Sequence, residues 1–248
     1  MKKIVTLVLA LLLTLSMLTA CTGNNSSNVG GTPAHDPVST VKTESTASES
    51  GGDDSQQEQP SAPDLPTFEP FVFSGTSDSV TAVIDIPTRY AIANISAPDN
   101  EKKYFGVHQV NGSLEDVALL VNKSGGNYMG SVLIDTERRR ADGKEAFRVV
   151  ADVDWEIAVT PLVAAESLSL AGTGDHVSGV FLSPGVGMWQ FVHDGEYNFK
   201  VFIYSLSGES NRVVNVIGEY EKENSINLGA GFIFWVIEAD GNWSITPK

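Results

Sequence analysis

Residues 239–247 read ADGNWSITP, and residues 151–161 read ADVDWEIAVTP. In each stretch a tryptophan, Trp155 or Trp243, is followed two positions later by an isoleucine. Because successive side chains on a strand point to opposite faces, a tryptophan and an isoleucine at this spacing share one face, which a packed core would bury. The recurrence predicts that the chain contains one folding unit twice.

The sequences between the two closing stretches also align, over about ninety residues per copy. The offset falls from 97 residues (74 to 171) to 88 residues (151 to 239), as loop insertions in the first copy would produce. We therefore predict repeat 1 at 68–163 and repeat 2 at 164–248. The aligned segments are 74–87 with 171–184, YFGVHQVNG ending at Gly112 with KVFIYSLSG ending at Gly208, and LLVNKSGGNY with RVVNVIGEY, which pairs Asn122 with Asn215 and Tyr128 with Tyr220.

From Phe68 onward the chain consists of short apolar runs rich in Val, Ile, Phe and Tyr, separated by Gly, Asn, Asp and Pro. This pattern is typical of strands, and no stretch keeps a helical period. About seven short strands in each copy favour an all-β fold of two tandem antiparallel β-sandwiches, jelly-roll-like, of about ninety residues each. Each copy has Gly-x-x-Asp-x-Val, a strand, a proline, further strands and a closing Ala-Asp…Trp-x-Ile strand. This order resembles the pre-peptidase C-terminal type of secreted β-sandwich domain, which implies a secreted β-sandwich.

The first residues have the pattern of an export signal. Lys2 and Lys3 precede an apolar run at 4–18, and Leu-Thr-Ala-Cys follows at 18–21. This stretch resembles the lipobox of bacterial lipoproteins. The resemblance implies that residues 1–20 are a signal peptide and that Cys21 becomes a lipidated N-terminus. The mature protein would then be exported and anchored in the bacterial cell membrane, facing its extracytoplasmic side.

Residues 21–67 contain almost no large apolar side chains. From residue 22 this segment holds seven acidic residues and one basic residue, Lys42. Such a composition cannot bury enough surface to offset its ordering entropy, so we predict a lipidated cysteine followed by a disordered linker. The whole chain has a formal net charge of −15, which disfavours nucleic acid as a partner.

Neither a common catalytic motif nor a cysteine outside the lipobox is found, so we predict a protein that is not an enzyme and needs no cofactor. One alternative is a hydrolase whose site is built from His193, Asp194 and Asp175. Another is a Ca²⁺ site formed by Asp175, His193, Asp194 and Asp240 at the ends of the second sandwich. Since Asp78 and Asp175 recur at a Gly-x-x-Asp turn, hydrogen bonding to backbone amides is the favoured role.

Aromatic residues distinguish the two copies. If the apolar face that both copies share is the core, repeat 2 places Phe202, Tyr204 and Phe234 on an outer face. Trp189 is a further candidate for a binding patch. Such a patch requires a cover, which is either the neighbouring repeat or a partner that docks on the rings.

The sequence as a whole predicts a lipid-anchored protein that presents two non-catalytic modules at the cell envelope. The expected partner is wall or extracellular polysaccharide, or another envelope protein, in addition to the membrane contact through Cys21. A structural subunit of an envelope complex is the main alternative, and the hydrolase is the other.

Overall fold

A computed structural model describes residues 63–98, 103–138 and 142–248. Both repeats belong to one compact unit. The predicted signal peptide, Cys21 and the linker up to residue 62 lie outside the described residues. In the described part of the chain, no helix has the length and apolarity needed to cross a membrane.

Repeat 1 contains nine strands in its described residues. Many have alternating buried and exposed positions, as expected for strands with one face on a core. The strands are β1 Phe71–Gly75, β2 Ser79–Val80, β3 Ile84–Asp85, β4 Tyr90–Ala97, β5 Tyr104–Asn111, β6 Asp116–Ser124, β7 Tyr128–Asp135, β8 Lys144–Val150 and β9 Trp155–Pro161.

Repeat 2 contains nine strands in the same order and of similar length. They are β10 Leu170–Thr173, β11 His176–Val177, β12 Phe181–Leu182, β13 Val186–His193, β14 Asn198–Ser205, β15 Ser210–Ile217, β16 Tyr220–Asn227, β17 Phe232–Ala239 and β18 Asn242–Pro247.

Each repeat is a sandwich of two antiparallel sheets with one topology. In repeat 1 the first sheet has the order β1-β9-β4-β7, and the second has the order β2-β8-β5-β6, with β3 also pairing with β8. Repeat 2 has β10-β18-β13-β16 and β11-β17-β14-β15, with β12 also pairing with β17. Counting β2 and β3 as one interrupted strand, this is the eight-strand order of a jelly roll. The predicted all-β tandem repeat is confirmed.

Each sandwich has its own hydrophobic core. Trp155 and Trp243 are buried, and Ile157 and Ile245 on the same strand faces are fully buried. The closing stretches that reveal the repeat in the sequence therefore supply the same part of both cores.

A glycine makes room for each closing tryptophan. Gly75 lies opposite Trp155 in β9, and Gly172 lies opposite Trp243 in β18. A Cβ atom on Gly75 would lie 2.5 Å from the Trp155 ring, and one on Gly172 would lie 2.7 Å from the Trp243 ring. Real Cβ contacts are not this short, so the two glycines are a packing requirement of the fold.

The turn after each glycine completes the same arrangement. The indole Nε1 of Trp155 donates to the Ser77 carbonyl at 3.0 Å, and that of Trp243 donates to the Gly174 carbonyl at 2.8 Å. In the same turns, Asp78 Oδ1 accepts the Ala151 amide at 2.8 Å, and Asp175 Oδ1 accepts the Ala239 amide at 3.1 Å. The Gly-x-x-Asp turn thus binds the closing hairpin of each sandwich through backbone groups.

We expect the substitution Gly172→Ala to lower the free energy of unfolding by about 1–3 kcal/mol, the usual effect of overpacking, because the new methyl group would displace the Trp243 ring. Urea unfolding followed by tryptophan fluorescence measures the change. Ala171→Val is the matched control, since residue 171 is exposed on the same strand. Equal stability of Gly172→Ala and the wild type would contradict the packing argument.

The register of β14 differs from the sequence alignment by two residues. Val107 lies opposite Val149, and Val201 lies opposite Ile237. Because Val149 and Ile237 correspond, Val107 corresponds to Val201. The equivalents of Phe202 and Tyr204 are therefore His108 and Val110. The alignment that pairs Gly106 with Phe202 and His108 with Tyr204 is wrong.

The hairpin turn explains this shift. In repeat 1 the Asn111 amide donates to the Glu115 carbonyl, and in repeat 2 the Ser205 amide donates to the Glu209 carbonyl. The residue with positive φ in these turns is Leu114 (63°) in repeat 1 and Gly208 (102°) in repeat 2. A glycine is the usual residue at such a position, so aligning Gly112 with Gly208 places the first copy out of register.

A polar pair lies inside the core of repeat 1. Gln109 and Glu145 are fully buried, and Gln109 Nε2 donates to Glu145 Oε2 at 2.9 Å. The equivalent residues of repeat 2 are Ile203 and Ile233. Ile203 has the same register position on β14 as Gln109 on β5, and Ile233 has the same position on β17 as Glu145 on β8. Burial raises the pKa of Glu145 to about 7.

Candidate functional site

The aromatic residues predicted on the outer face of repeat 2 lie mostly between the two repeats. Phe234 has no exposed surface, and its ring packs edge-on against Tyr90 of repeat 1 at 5.3 Å. Tyr204 stacks on Phe234 at 5.6 Å and meets the edge of Tyr90 at 6.0 Å. The neighbouring repeat therefore covers Phe234 and Tyr204, which was one of the two alternatives for this patch.

The contact joins the first sheet of repeat 1 to the second sheet of repeat 2 and has a polar border. Around the rings it buries the apolar side chains of Ile92, Leu162, Val177 and Val180. At the border, the Tyr128 hydroxyl donates to Asp175 Oδ2 at 2.8 Å.

Two other members of the predicted patch have different surroundings. Trp189 is 1% exposed and packs at 5.4 Å against Trp235 in the core of repeat 2, because it lies on the inward face of β13. Its assignment to a binding patch is therefore corrected. Phe202 is partly buried, with its ring 6.5 Å from Tyr204.

The acidic residues considered for a metal site are occupied by hydrogen bonds. Asp175 accepts from Ala239 and Tyr128, and both oxygens of Asp194 accept from Asn242. The carboxylate of Asp240 accepts from the amides of Glu196 and Tyr197. Within the described residues, no three His, Cys, Asp or Glu side chains gather closely enough to hold a metal ion.

His193 is buried and contacts three other residues. Its ring stacks on Phe199 at 4.6 Å, its Nδ1 lies 3.0 Å from the Gly218 carbonyl, and its Nε2 lies 3.5 Å from Asp240 Oδ1. The side chain is 0% exposed, so it cannot reach a substrate in this conformation. Its equivalent in repeat 1 is Ala97, because Ala97 lies opposite Tyr128 and His193 lies opposite the corresponding Tyr220.

An open polar cleft lies on the side of repeat 2, between the edge strand β15 of one sheet and the edge strand β16 of the other. Its volume is about 600 Å³. Most of its lining side chains carry an amide, a hydroxyl or a charge, and the floor includes buried Ile226. The lining residues are Asn211, Arg212, Val213, Tyr220, Glu223, Asn224, Ser225, Ile226 and Asn227.

Four of the polar lining positions are apolar in repeat 1. The strand registers equate Asn211 with Ala118, Arg212 with Leu119, Asn224 with Val132 and Ser225 with Leu133. Val132 packs against the core of repeat 1, and Leu133 packs in the inter-repeat contact. At these four positions, repeat 2 therefore carries polar side chains where repeat 1 has apolar ones.

The polar groups of the cleft are incompletely paired. Asn224 Nδ2 donates to the Tyr220 hydroxyl at 3.1 Å, and Lys248 Nζ lies 3.7 Å from Glu223 Oε1. The Tyr220 ring has the Lys222 ammonium 5.7 Å from its centre and Phe199 at 6.1 Å. With its ring flanked in this way, Tyr220 supplies a hydroxyl to the cleft more readily than a stacking surface.

The sequence alignment contained the signal for this cleft. β15 and β16 align with β6 and β7 through Asn215 with Asn122 and Tyr220 with Tyr128, and the polar substitutions are visible between these points. Polar residues on a strand are typical of ordinary solvent-facing positions, so these substitutions do not indicate a cleft by themselves.

Comparison with known proteins finds no family model that matches the chain. A search of the curated proteins finds no similar sequence.

Proposed function

We propose that this protein is an exported, lipid-anchored envelope protein whose two jelly-roll modules bind rather than catalyse, and that the polar cleft of repeat 2 is its saccharide site. The observation that carries the proposal is the replacement of apolar residues by Asn211, Arg212, Asn224 and Ser225 along the open side of one copy only. The exchange of Leu133 for Ser225 follows from the inter-repeat contact, which covers Leu133 but leaves Ser225 free. Arg212 and Asn224, whose counterparts Leu119 and Val132 lie outside that contact, are therefore the substitutions that support the proposal.

The chemistry of the cleft suits a saccharide. An asparagine side chain offers two donors and one acceptor oxygen, which match the hydroxyl groups of a sugar ring. The cleft presents three asparagines with Ser225 and the Tyr220 hydroxyl. The central part of a protein interface is instead rich in aromatic and apolar side chains. Those side chains are found here at the inter-repeat contact, where Phe234 and Tyr204 are already covered.

The lipobox completes the proposal. Cys21 would hold the protein at the membrane through acyl chains, and the acidic linker would allow the two modules to reach the surrounding polymer. The buried position of His193 favours binding over the hydrolase alternative.

Sedimentation with insoluble cell-wall sacculi and polysaccharides tests the binding. The detergent-solubilised full chain should pellet with at least one of these polymers. Asn224→Leu should weaken that binding roughly tenfold, because one or two hydrogen bonds of about 0.5–1.5 kcal/mol each are lost. Asn215→Leu is the control, since Asn215 is an exposed asparagine of β15 outside the cleft.

A wild-type chain that pellets with none of the polymers, and instead co-purifies with an envelope protein, would replace the proposal by the structural-subunit alternative. Equal effects of the Asn224 and Asn215 substitutions would remove the cleft from the site.

A further inference from the structure

We propose that the cleft of repeat 2 selects an anionic saccharide, one that carries carboxylate or phosphate groups, and that Arg212 is the residue that binds the anionic group. This inference rests on the proposed function, because it names the ligand class of the same site.

Arg212 is an arginine without an acidic partner. Its side chain is exposed and lines the cleft, and among the described residues no carboxylate forms an ion pair with it. Arg89 pairs with Asp135 and Glu137, and Arg148 pairs with Asp116. Of the described arginines, Arg138 also has no ion pair, but it does not line the cleft. In a chain of net charge −15, where acidic side chains outnumber basic ones, a guanidinium left unpaired at a cleft is open to a ligand.

The lining side chains of the cleft carry no net charge, although the chain as a whole is acidic. Its charged lining residues are Arg212 and Glu223. Lys248 Nζ lies 3.7 Å from Glu223 and offsets its charge. The ammonium of Lys222, which lies over the Tyr220 ring, adds a second positive group beside the cleft. An anion that approaches Arg212 therefore meets no uncompensated carboxylate among the lining side chains.

The two walls of the cleft offer different chemical groups to a ligand. On the β15 wall, Arg212 offers a planar fork of donors that fits a carboxylate or a phosphate with two parallel hydrogen bonds. On the β16 wall, Asn224, which lies opposite Trp189, offers neutral groups suited to hydroxyls. A sugar unit with an acidic substituent satisfies both walls at once, whereas a neutral sugar leaves the guanidinium unused. Repeat 1, with Leu119 at the position of Arg212, lacks this fork.

The test measures equilibrium binding of the full chain to four soluble polymers: polygalacturonate, phosphorylated dextran, neutral dextran and polyglutamate. We expect at least one of the two acidic saccharide polymers to bind roughly tenfold or more tightly than dextran, as charge-assisted hydrogen bonds are stronger than neutral ones. The two acidic saccharide polymers distinguish a carboxylate from a phosphate ligand. Polyglutamate separates saccharide recognition from attraction by charge alone.

Arg212→Gln should abolish the preference for the acidic saccharide. Arg148→Gln is the matched control, because it removes the same charge from a half-buried strand position of repeat 1, outside the cleft, and should leave the preference intact. Circular dichroism confirms that both variants remain folded.

Equal affinity for dextran and the acidic saccharides would overturn the inference and leave the proposed function standing. Polyglutamate binding as tight as that of the acidic saccharides, or a preference that survives in Arg212→Gln, would overturn the inference as well. Absence of binding to sacculi and to all four polymers would overturn the proposed function together with it.

Discussion

Replacing Phe234 with alanine should lower the free energy of unfolding by about 3–5 kcal/mol, the effect expected for a fully buried phenylalanine. The lost ring packs against Tyr90 of repeat 1 and Tyr204 of repeat 2, so the substitution removes the central contact between the two sandwiches. The two cores are otherwise separate. Unfolding in urea, or by calorimetry, should therefore change from one transition to two in the variant.

Phe202→Ala is the control for this prediction. Phe202 is on β14 and shares the outer face of the sheet with Phe234 of β17. It is only partly buried and lies at the margin of the inter-repeat contact, with 6.5 Å between its ring and that of Tyr204. Its removal should have less than half the effect of Phe234→Ala. If the two variants were equally stable, the contact between repeats would not depend on Phe234.

Glu145→Gln should make the protein more stable than the wild type at pH 8. The pKa of Glu145 in the folded protein, about 7, lies above the ordinary value of 4.5. The folded state therefore holds a proton between these two pH values that the unfolded state releases, so stability falls as the pH rises through this window. The difference corresponds to on the order of 3 kcal/mol when fully developed. A glutamine in place of Glu145 stays neutral and can still accept from Gln109.

Stability curves at pH 4, 6 and 8 measure this effect. The wild type should lose stability from pH 4 to pH 8 relative to Glu145→Gln, and the two proteins should converge at pH 4. Glu156→Gln, an exposed residue of β9, is the matched control and should leave the pH dependence unchanged. Parallel curves for the wild type and Glu145→Gln would show that Glu145 does not titrate in this range.

The repeat and its jelly-roll class could be predicted from the sequence because local rules and packing agree there. Gly75 with Trp155 and Gly172 with Trp243 each combine a turn, a packing space and an indole hydrogen bond, and such a combination survives divergence. The detailed register could not be predicted. Leu114 takes a backbone conformation usually reserved for glycine, so the sequence offered Gly112 as a false counterpart of Gly208.

The candidate site was harder to predict than the fold for a different reason. Aromatic residues draw attention in a sequence, but Phe234 and Trp189 are buried in contacts that only the tertiary structure defines. Polar residues such as Asn211 and Asn224 look like any exposed strand position until the two sheets are assembled and their edges are seen to leave a cleft. The position of His193 likewise depends on residues far apart in the chain.

The contact between the repeats is of the head-to-tail kind, since it joins different faces of two related units. A contact of this kind can in principle continue from molecule to molecule and build a fibre. In this protein, the two faces that remain free lack the aromatic residues that would continue such a contact. Val186 stands where the first copy has Tyr90, and Ala146 stands where the second has Phe234. Among the described residues, the contact of Tyr90 with Phe234 is formed once, so growth by this route stops within a single molecule.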